Sequence, residues 1–424
     1  MENMKNDKFN CEVAVIGGGP AGMMAAIAAA QRGAKTILLE KNAAPGKKLL
    51  LTGGGRGNFC NAESDLRKLA ANYGQNGPFL FHSFSQFGPK EAIEFFNGLG
   101  VKTKIENNNR VFPKSDRAAD ILNALIAGLN GLNVEIVCGA RIIGIEKENN
   151  SIKKIVLDNR DDIVAKNYII ATGGKSYPQT GSAGDGYLWA QALGHKIDPL
   201  SPALVPVGIK EDRVKDLAGI ALENPKISVF QNNKKLFSVQ GELLFAHFGV
   251  SGPAILNIGG RIAESAKNGA VFIHLDFLPE IADGELQKKI LGNFQKNPNK
   301  IVKNCLADFL PAALTEAVCR AAAVDAEKTA NNIEKKERRR IAEAMKNFKL
   351  ETGKTFPIES GMITGGGVDI AEIDHKTMRS KIIRNLFFAG EIINVHGPTG
   401  GFNLLQCWST GRLAGREASL AHKK

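Results

Sequence analysis

Apolar positions along this chain follow two periods. CEVAVI (residues 11–16) is a short apolar run that predicts a buried strand. Gly17-Gly18-Gly19-Pro20-Ala21-Gly22 follows at once, and residues 23–32, rich in Ala and Met, predict a helix stopped at Gly33. KTILLE (35–40) predicts a second strand. Runs at 133–146, 152–158 and 163–170 predict further strands in a meander, and 386–388 predicts one more. Residues 195–280 hold short β runs broken by Pro and Gly, among them LVPVGI, KISVF and KKLFSV. Within 283–347 the period changes: Leu306, Phe309, Leu310, Leu314 and Val318 recur at helical spacing. Residues 348–362 return to a β pattern.

The first strand–glycine–helix–strand stretch carries chemistry. Gly17-x-Gly19-x-x-Gly22 lies between a strand and a helix, and Glu40 closes the second strand eighteen residues after Gly22. This is the dinucleotide-binding fingerprint in its required context. Gly17 permits the turn, Gly18 and Gly19 bring backbone close to a pyrophosphate, and Ala21 and Gly22 keep the helix near the strand. The helix N-terminus offers unpaired N–H groups to phosphate. Glu40, with Lys41 beside it, suits ribose hydroxyls and repels a 2′-phosphate, which points to FAD or NAD.

A second cluster, Gly46 to Asn58 (GKKLLLTGGGRGN), stands where an NAD-binding fold would place a helix. It suits a longer ligand, FAD: Lys47 and Lys48 for phosphate, Gly54 for close approach, Arg56 and Asn58 for the polar edge of the flavin. The strand ending in Ala171-Thr172-Gly173-Gly174, and the meander that begins near Ile142, mark the return of the chain past the dinucleotide. At the C-terminal end, Gly390-Glu391 closes another strand. Gly400, Gly401, Phe402 and Asn403 then open a helix whose N-terminus faces the flavin pyrimidine in this reading.

The fold expected is α/β: a discontinuous Rossmann-like FAD-binding domain of the glutathione-reductase type (1–194 and 363–424). It is interrupted by an antiparallel β-barrel domain (195–280 and 348–362) and a small helical domain (281–347).

Composition trims the alternatives. The 424 residues are 43% hydrophobic and 23% charged, ordinary for a globular chain. Val13–Ala30 is eighteen residues without a charge, near membrane-span length, yet four glycines and a proline interrupt it. It reads as a buried β–α unit, and the protein as untargeted and cytoplasmic. Six cysteines without C-x-x-C or zinc spacing give no metal site and no disulfide framework. Net charge is +12. The lysines are scattered, and the densest run, Lys335 to Arg340, reads as a solvated helix face, so nucleic acid is disfavoured as a partner. No feature indicates the oligomeric state.

Six stretches resemble the BaiN-like (YhiN-like) family of bacterial FAD-dependent oxidoreductases: VAVIGGGPAGMMAA, GKKLLLTGGGRGN, GGKSYPQTGSAGDGY, GELLFAHFGVSGPAIL, ITGGGVDIAEID and FFAGEIINVHGPTGGFNL. They span nearly the whole chain. Gly57 stands where the family usually has a cysteine, and Asn394-Val395-His396-Gly397 replaces its D-x-D-G. The resemblance implies reduction of an activated, enone-type C=C in a small-molecule substrate: hydride from flavin N5 to the β-carbon, with NAD(P)H as transient donor. His396 and Tyr177 are the candidate proton donors. The alternatives are an FAD-dependent oxidase of a small amine, since no second Rossmann motif serves NAD(P)H, and a nucleic-acid-binding flavoprotein motivated by the charge.

Overall fold

Strand β1 (Phe9–Ile16) lies at the centre of a seven-stranded sheet, flanked in parallel by β2 (Thr36–Glu40) and by the strand Asp162–Ile170. Helix α1 (Pro20–Ala30) connects β1 to β2. The computed structural model describes residues 9–159 and 161–420. Every residue of β2 is buried, and β1 is buried from Val13 to Ile16. A strand covered on both faces needs no alternation, which is why these runs read as continuously apolar.

The run at 133–146 does not form one strand. Its first half, Glu135–Cys138, joins the sheet parallel to β2 after the helical crossover Ala118–Gly131. Gly139, at φ +71°, turns the chain, and Ile142–Glu148 begins an antiparallel meander through Ser151–Leu157 into Asp162–Ile170. That last strand serves two partners in succession. Its start pairs with the meander and its end, Tyr168 to Ile170, pairs in parallel with Leu386–Phe388. The two distant glycine turns at 171–174 and 389–391 therefore leave the sheet side by side.

Helix α1 is buried from Ala21 to Ala29 because a second helix, Phe402–Leu420, covers it. The fit depends on small residues at i, i+4 on both helices. A Cβ on Gly411 would strike the Ala21 carbonyl oxygen, and one on Gly415 would strike that of Ala25. The eighteen uncharged residues Val13–Ala30 are thus a strand, a turn and a covered helix. No helix among the described residues is long and apolar enough to cross a membrane.

The chain divides into two compact units, 1–202 with 358–424, and 203–357. The boundary falls at 202/203, not 194/195, because Ile197–Ala203 pairs with Ile363–Val368 in the first unit. The second unit holds two four-stranded sheets and the helices Asp283–Lys296, Val302–Leu306, Ala312–Ala321 and Lys335–Lys346. Strand residues Ile227, Ile273 and Leu275 share one buried core with Leu286, Leu306, Leu314, Val318 and Met345. The helices expected to form a domain of their own bury their apolar stripe on the sheets, since a stripe this narrow needs an opposing layer. Of 348–362, only Phe348–Glu351 is a strand; it pairs with Val271–Asp276.

Candidate functional site

The glycine turn after β1 is built by exclusion. Gly17, at φ +105°, packs so closely on the return strand that a Cβ there would lie 2.6 Å from the Ala171 carbonyl oxygen. Gly22 has its Cα against the Gly17 carbonyl, whereas a Cβ on Gly19 would meet nothing within 4 Å. The side of the turn that packs on protein is full, and the side that faces a ligand is open. Gly19 caps α1 without a side-chain hydrogen bond, and Pro20 takes the first helical position, so the amide donors of the first turn stay available.

Glu40 is 7% exposed and fixed at three points. Its Oε2 accepts from Gly18 N at 2.9 Å, and its Oε1 accepts from Asn42 N at 2.8 Å and Asn42 Nδ2 at 2.7 Å. A carboxylate has about four lone-pair sites, so it retains capacity for a ribose hydroxyl. The same Asn42 Nδ2 donates to Thr180 O at 3.1 Å and ties the turn to the loop after ATGG.

The lysines read from the sequence as cofactor ligands, Lys47 and Lys48 for phosphate and Lys41 beside Glu40, have protein partners. Lys41 pairs with Asp185 at 2.6 Å, Lys47 donates to Gln179 O at 2.9 Å, and Lys48 pairs with Glu391 at 3.0 Å. They clasp loops around the turn. Arg56, expected at the flavin edge, is held by Glu106 at 2.5 Å and Asp116 at 2.6 Å and lies 4.1 Å over the Phe112 ring. These hydrogen bonds raise its pKa further. Its charge is spent on that cluster, which Lys104 completes.

The second glycine cluster and the C-terminal one converge. A Cβ on Gly401, whose φ is +97°, would lie 2.5 Å from Asn58 Oδ1. Asn61 Nδ2 donates to Gly400 O at 3.1 Å. Asn403 receives Gly397 N at 2.9 Å and donates to Gly397 O and Pro398 O, so it staples the loop it follows. The Phe402 carbonyl accepts from the Tyr73 hydroxyl at 2.7 Å. Gly54 sits in the Leu49–Gly55 turn at φ +67°. Ile142 opens the meander just past Ala140, whose N–H donates to Glu40 O at 2.9 Å.

Thr364 is the functional-site residue that the sequence reading missed. Its N–H donates to Glu391 Oε1 at 2.9 Å and its Oγ1 accepts from Lys175 N at 2.7 Å. A Cβ on Gly174 would fall between Thr364 and Glu391. The signal was present: Thr364-Gly365-Gly366 repeats the Thr172-Gly173-Gly174 pattern.

The loops that carry the two proton-donor candidates reach one strand, Ile363–Val368, through the Ser176–Thr364 hydroxyl contact at 3.0 Å and through His396 against Gly365. Tyr177, half-buried, holds left-handed backbone at φ +54°, and its N–H donates to Glu359 O at 3.1 Å. A non-glycine residue in that region is strained and persists only where its surroundings fix it. The His396 ring lies against Gly365. The residue is exposed to solvent at its surface, yet the protein packed around the ring lowers its pKa below the ordinary histidine value, while Glu391 pulls the other way. Cys60 is fully buried, and burial pushes its thiol up, so it is inert.

FAD fits this arrangement. Asn58 Oδ1 and Thr172 Oγ1 are buried without a hydrogen-bond partner, and both belong to the loops that surround the glycine turn. Buried polar atoms are normally paired, so each of these two marks a place for a partner that the protein itself does not supply. The chain is a flavin-dependent oxidoreductase of the Rossmann type. It belongs to the HI0933-like family, whose Rossmann-domain model matches residues 11–417. A 3-dehydro-bile acid delta(4,6)-reductase from Clostridium scindens is 30% identical over 410 residues, 96% of this chain and 98% of that protein. A ribosomal RNA dihydrouridine synthase from Escherichia coli is 27% identical over 93% of this chain and 95% of its own. The fold is shared with a 3-ketosteroid-delta4-(5alpha)-dehydrogenase from Rhodococcus jostii, at TM-score 0.56, 15% identity and 98% coverage of both chains.

Proposed function

We propose that this protein reduces a carbon–carbon double bond conjugated to a carbonyl, with NAD(P)H as the donor. The observation that carries this reading is the near full-length match to the bile acid delta(4,6)-reductase. A dihydrouridine synthase also saturates a C=C conjugated to a carbonyl, so both relatives' names describe one chemistry. FAD, when bound, would supply the hydride-transfer chemistry. The chain binds the dinucleotide through the Gly17–Gly22 turn and Glu40, and closes the site with the Lys41–Asp185 and Lys48–Glu391 clasps. The proton for the second carbon comes from His396 or the Tyr177 hydroxyl, both on loops beside Ile363–Val368.

The second reading makes the substrate a uridine in RNA. The relative from Escherichia coli favours it, as does the net charge of +12. One anaerobic experiment separates the possibilities. The flavin band is followed on addition of NADH, then NADPH, and the reduced protein is mixed with a 3-oxo-Δ4 steroid or with uridine-containing RNA. Bleaching by a nicotinamide and re-oxidation by one substrate identifies both partners. A flavin that neither nicotinamide bleaches, but that an amine bleaches and air then re-oxidises, overturns the reductase reading.

A further inference from the structure

A cavity of about 500 Å³ lies in the first unit, lined by Lys166, Arg379, Lys381 and Arg384 together with Asn167 and Ser380. Its place in the sheet separates it from the glycine turns. Asn167 sits midway along Asp162–Ile170, and Arg384 and Asn385 precede Leu386–Phe388. Both strands run from the cavity toward the turns at 171–174 and 389–391. Gly390 lies five positions beyond Asn385, roughly 17 Å at about 3.3 Å per residue in extended chain. The cavity is therefore at the starting end of the parallel strands, opposite the end where dinucleotides bind.

Its charge is unbalanced. Lys166 pairs with Glu12 at 3.0 Å, and Lys381 donates to Ala371 O at 2.8 Å. Neither Arg379 nor Arg384 has a carboxylate partner among the described residues. Arg379 Nε is buried and lacks any hydrogen-bond partner. Its guanidinium lies over the Phe387 ring, 5.4 Å from the centroid. A buried donor on a charged group without an acceptor costs stability unless something supplies the acceptor.

The wall is rigid. Ser380 Oγ lies 2.8 Å from His195 Nε2, and His195 Nδ1 lies 3.1 Å from Glu372 Oε2. This has the order of a Ser-His-acid relay, but Ser380 Oγ also accepts from Ile382 N at 3.0 Å and Ile383 N at 2.8 Å. Both of its lone pairs are occupied, so it is no nucleophile. The chain of bonds instead pins the loop that carries Arg379, Lys381 and Arg384.

We propose that this cavity binds a multivalent phosphate group, at a site separate from the dinucleotide. With Lys166 answered by Glu12, two guanidiniums without carboxylate partners and the Lys381 ammonium still exceed what a single carboxylate would neutralise, and the planar forks of arginine match phosphate oxygens bidentately. The volume suits a pyrophosphate or a small phosphorylated molecule. The same chemistry occurs in a polynucleotide backbone, and the test distinguishes the two sources.

The FAD-loaded protein is titrated calorimetrically with pyrophosphate, and separately with a twelve-nucleotide single-stranded RNA, at constant ionic strength. Arg384→Gln changes an exposed side chain, and Arg379→Met keeps the packing on Phe387. The expected result is one pyrophosphate per chain, with affinity lowered roughly tenfold or more in either variant. Removing Lys335 and Lys336, exposed on their helix, is the control and leaves binding unchanged. RNA that binds more tightly than pyrophosphate, is displaced by it and is weakened by Arg384→Gln identifies a polynucleotide source. RNA binding that ignores Arg384→Gln leaves the free phosphorylated molecule. The proposal is overturned if neither probe binds at low ionic strength, or if the control variant loses as much affinity as the cavity variants. The bound flavin reports folding throughout, and the result does not depend on the reductase reading.

Discussion

Glu40→Gln replaces one carboxylate oxygen by an NH2 group with almost no change in shape. The carboxylate accepts three N–H bonds, from Gly18 N, Asn42 N and Asn42 Nδ2, at 2.9, 2.8 and 2.7 Å. If the amide oxygen keeps the two Asn42 donors, its NH2 faces the Gly18 N–H, donor against donor. The best rotamer therefore loses one bond and converts two charge-assisted bonds to neutral ones. Hydrogen bonds to charged groups contribute about 1.5–3 kcal/mol each and neutral ones about 1 kcal/mol. The turn is then weakened by roughly 2.5–7 kcal/mol, and its amides are no longer fixed toward the phosphates. If half of that is felt in binding, FAD affinity falls by about 8- to 400-fold. Fluorescence quenching of FAD by the apoprotein measures the dissociation constant, and urea unfolding of the apoprotein measures the turn itself. Wild-type values in both assays would refute the role given to Glu40. A drop in stability alone would leave a structural clamp that does not touch cofactor.

Four further outcomes follow from the same geometry. Gly415→Leu drives a side chain into the Ala25 carbonyl and destabilises the helix pair by about 1–3 kcal/mol or more, read in urea melts. His195 has its pKa lowered by burial, against the pull of Glu372, so below the ordinary histidine value the unfolded chain binds more protons than the folded one. Stability therefore falls as pH drops through and below about 6.5; His195→Gln is less stable at pH 7.5 but declines less steeply toward pH 5. If His396 is the proton donor, its lowered pKa makes kcat/KM rise toward acid pH, and His396→Asn flattens that profile while Tyr177→Phe does not. Of the six free cysteines only Cys138 is exposed, so a thiol reagent finds one fast site in the native protein and reaches the buried Cys11, Cys60, Cys305 and Cys319 only on unfolding.

Local chemistry made the dinucleotide site legible. Gly17, Gly19 and Gly22 are required by steric contacts a few residues apart, and Glu40 reaches the turn because its strand neighbours β1. Such short-range demands leave a spacing in the sequence that needs no knowledge of the rest of the chain. The run at 133–146 was read correctly as extended, but not where it breaks, because Gly139 acts through the edge of a sheet assembled from strands a hundred residues away. Arg56 shows the same limit. A cation in a glycine loop suits the flavin edge by residue type, and only the arrival of Glu106 and Asp116, fifty to sixty positions along the chain, commits it elsewhere.

Charge was the property that sequence order located least well. The visible basic run, Lys335 to Arg340, lies on a solvated helix where Glu343 answers Arg339, while Glu337 pairs with Lys328 outside the run. The cationic cavity joins Lys166 to Arg379 and Arg384, separated by more than two hundred positions, and no local pattern announces it. The same holds for Gly411 and Gly415 against Ala21 and Ala25, and for Lys48 against Glu391. By itself the sequence determined the cofactor class, the sheet strands and the discontinuous fold, because backbone sterics and hydrophobic period act over a few residues. Tertiary structure decided which charges meet, which glycines pack helix on helix and which polar atoms stay unpaired, because those depend on chain segments that only folding brings together.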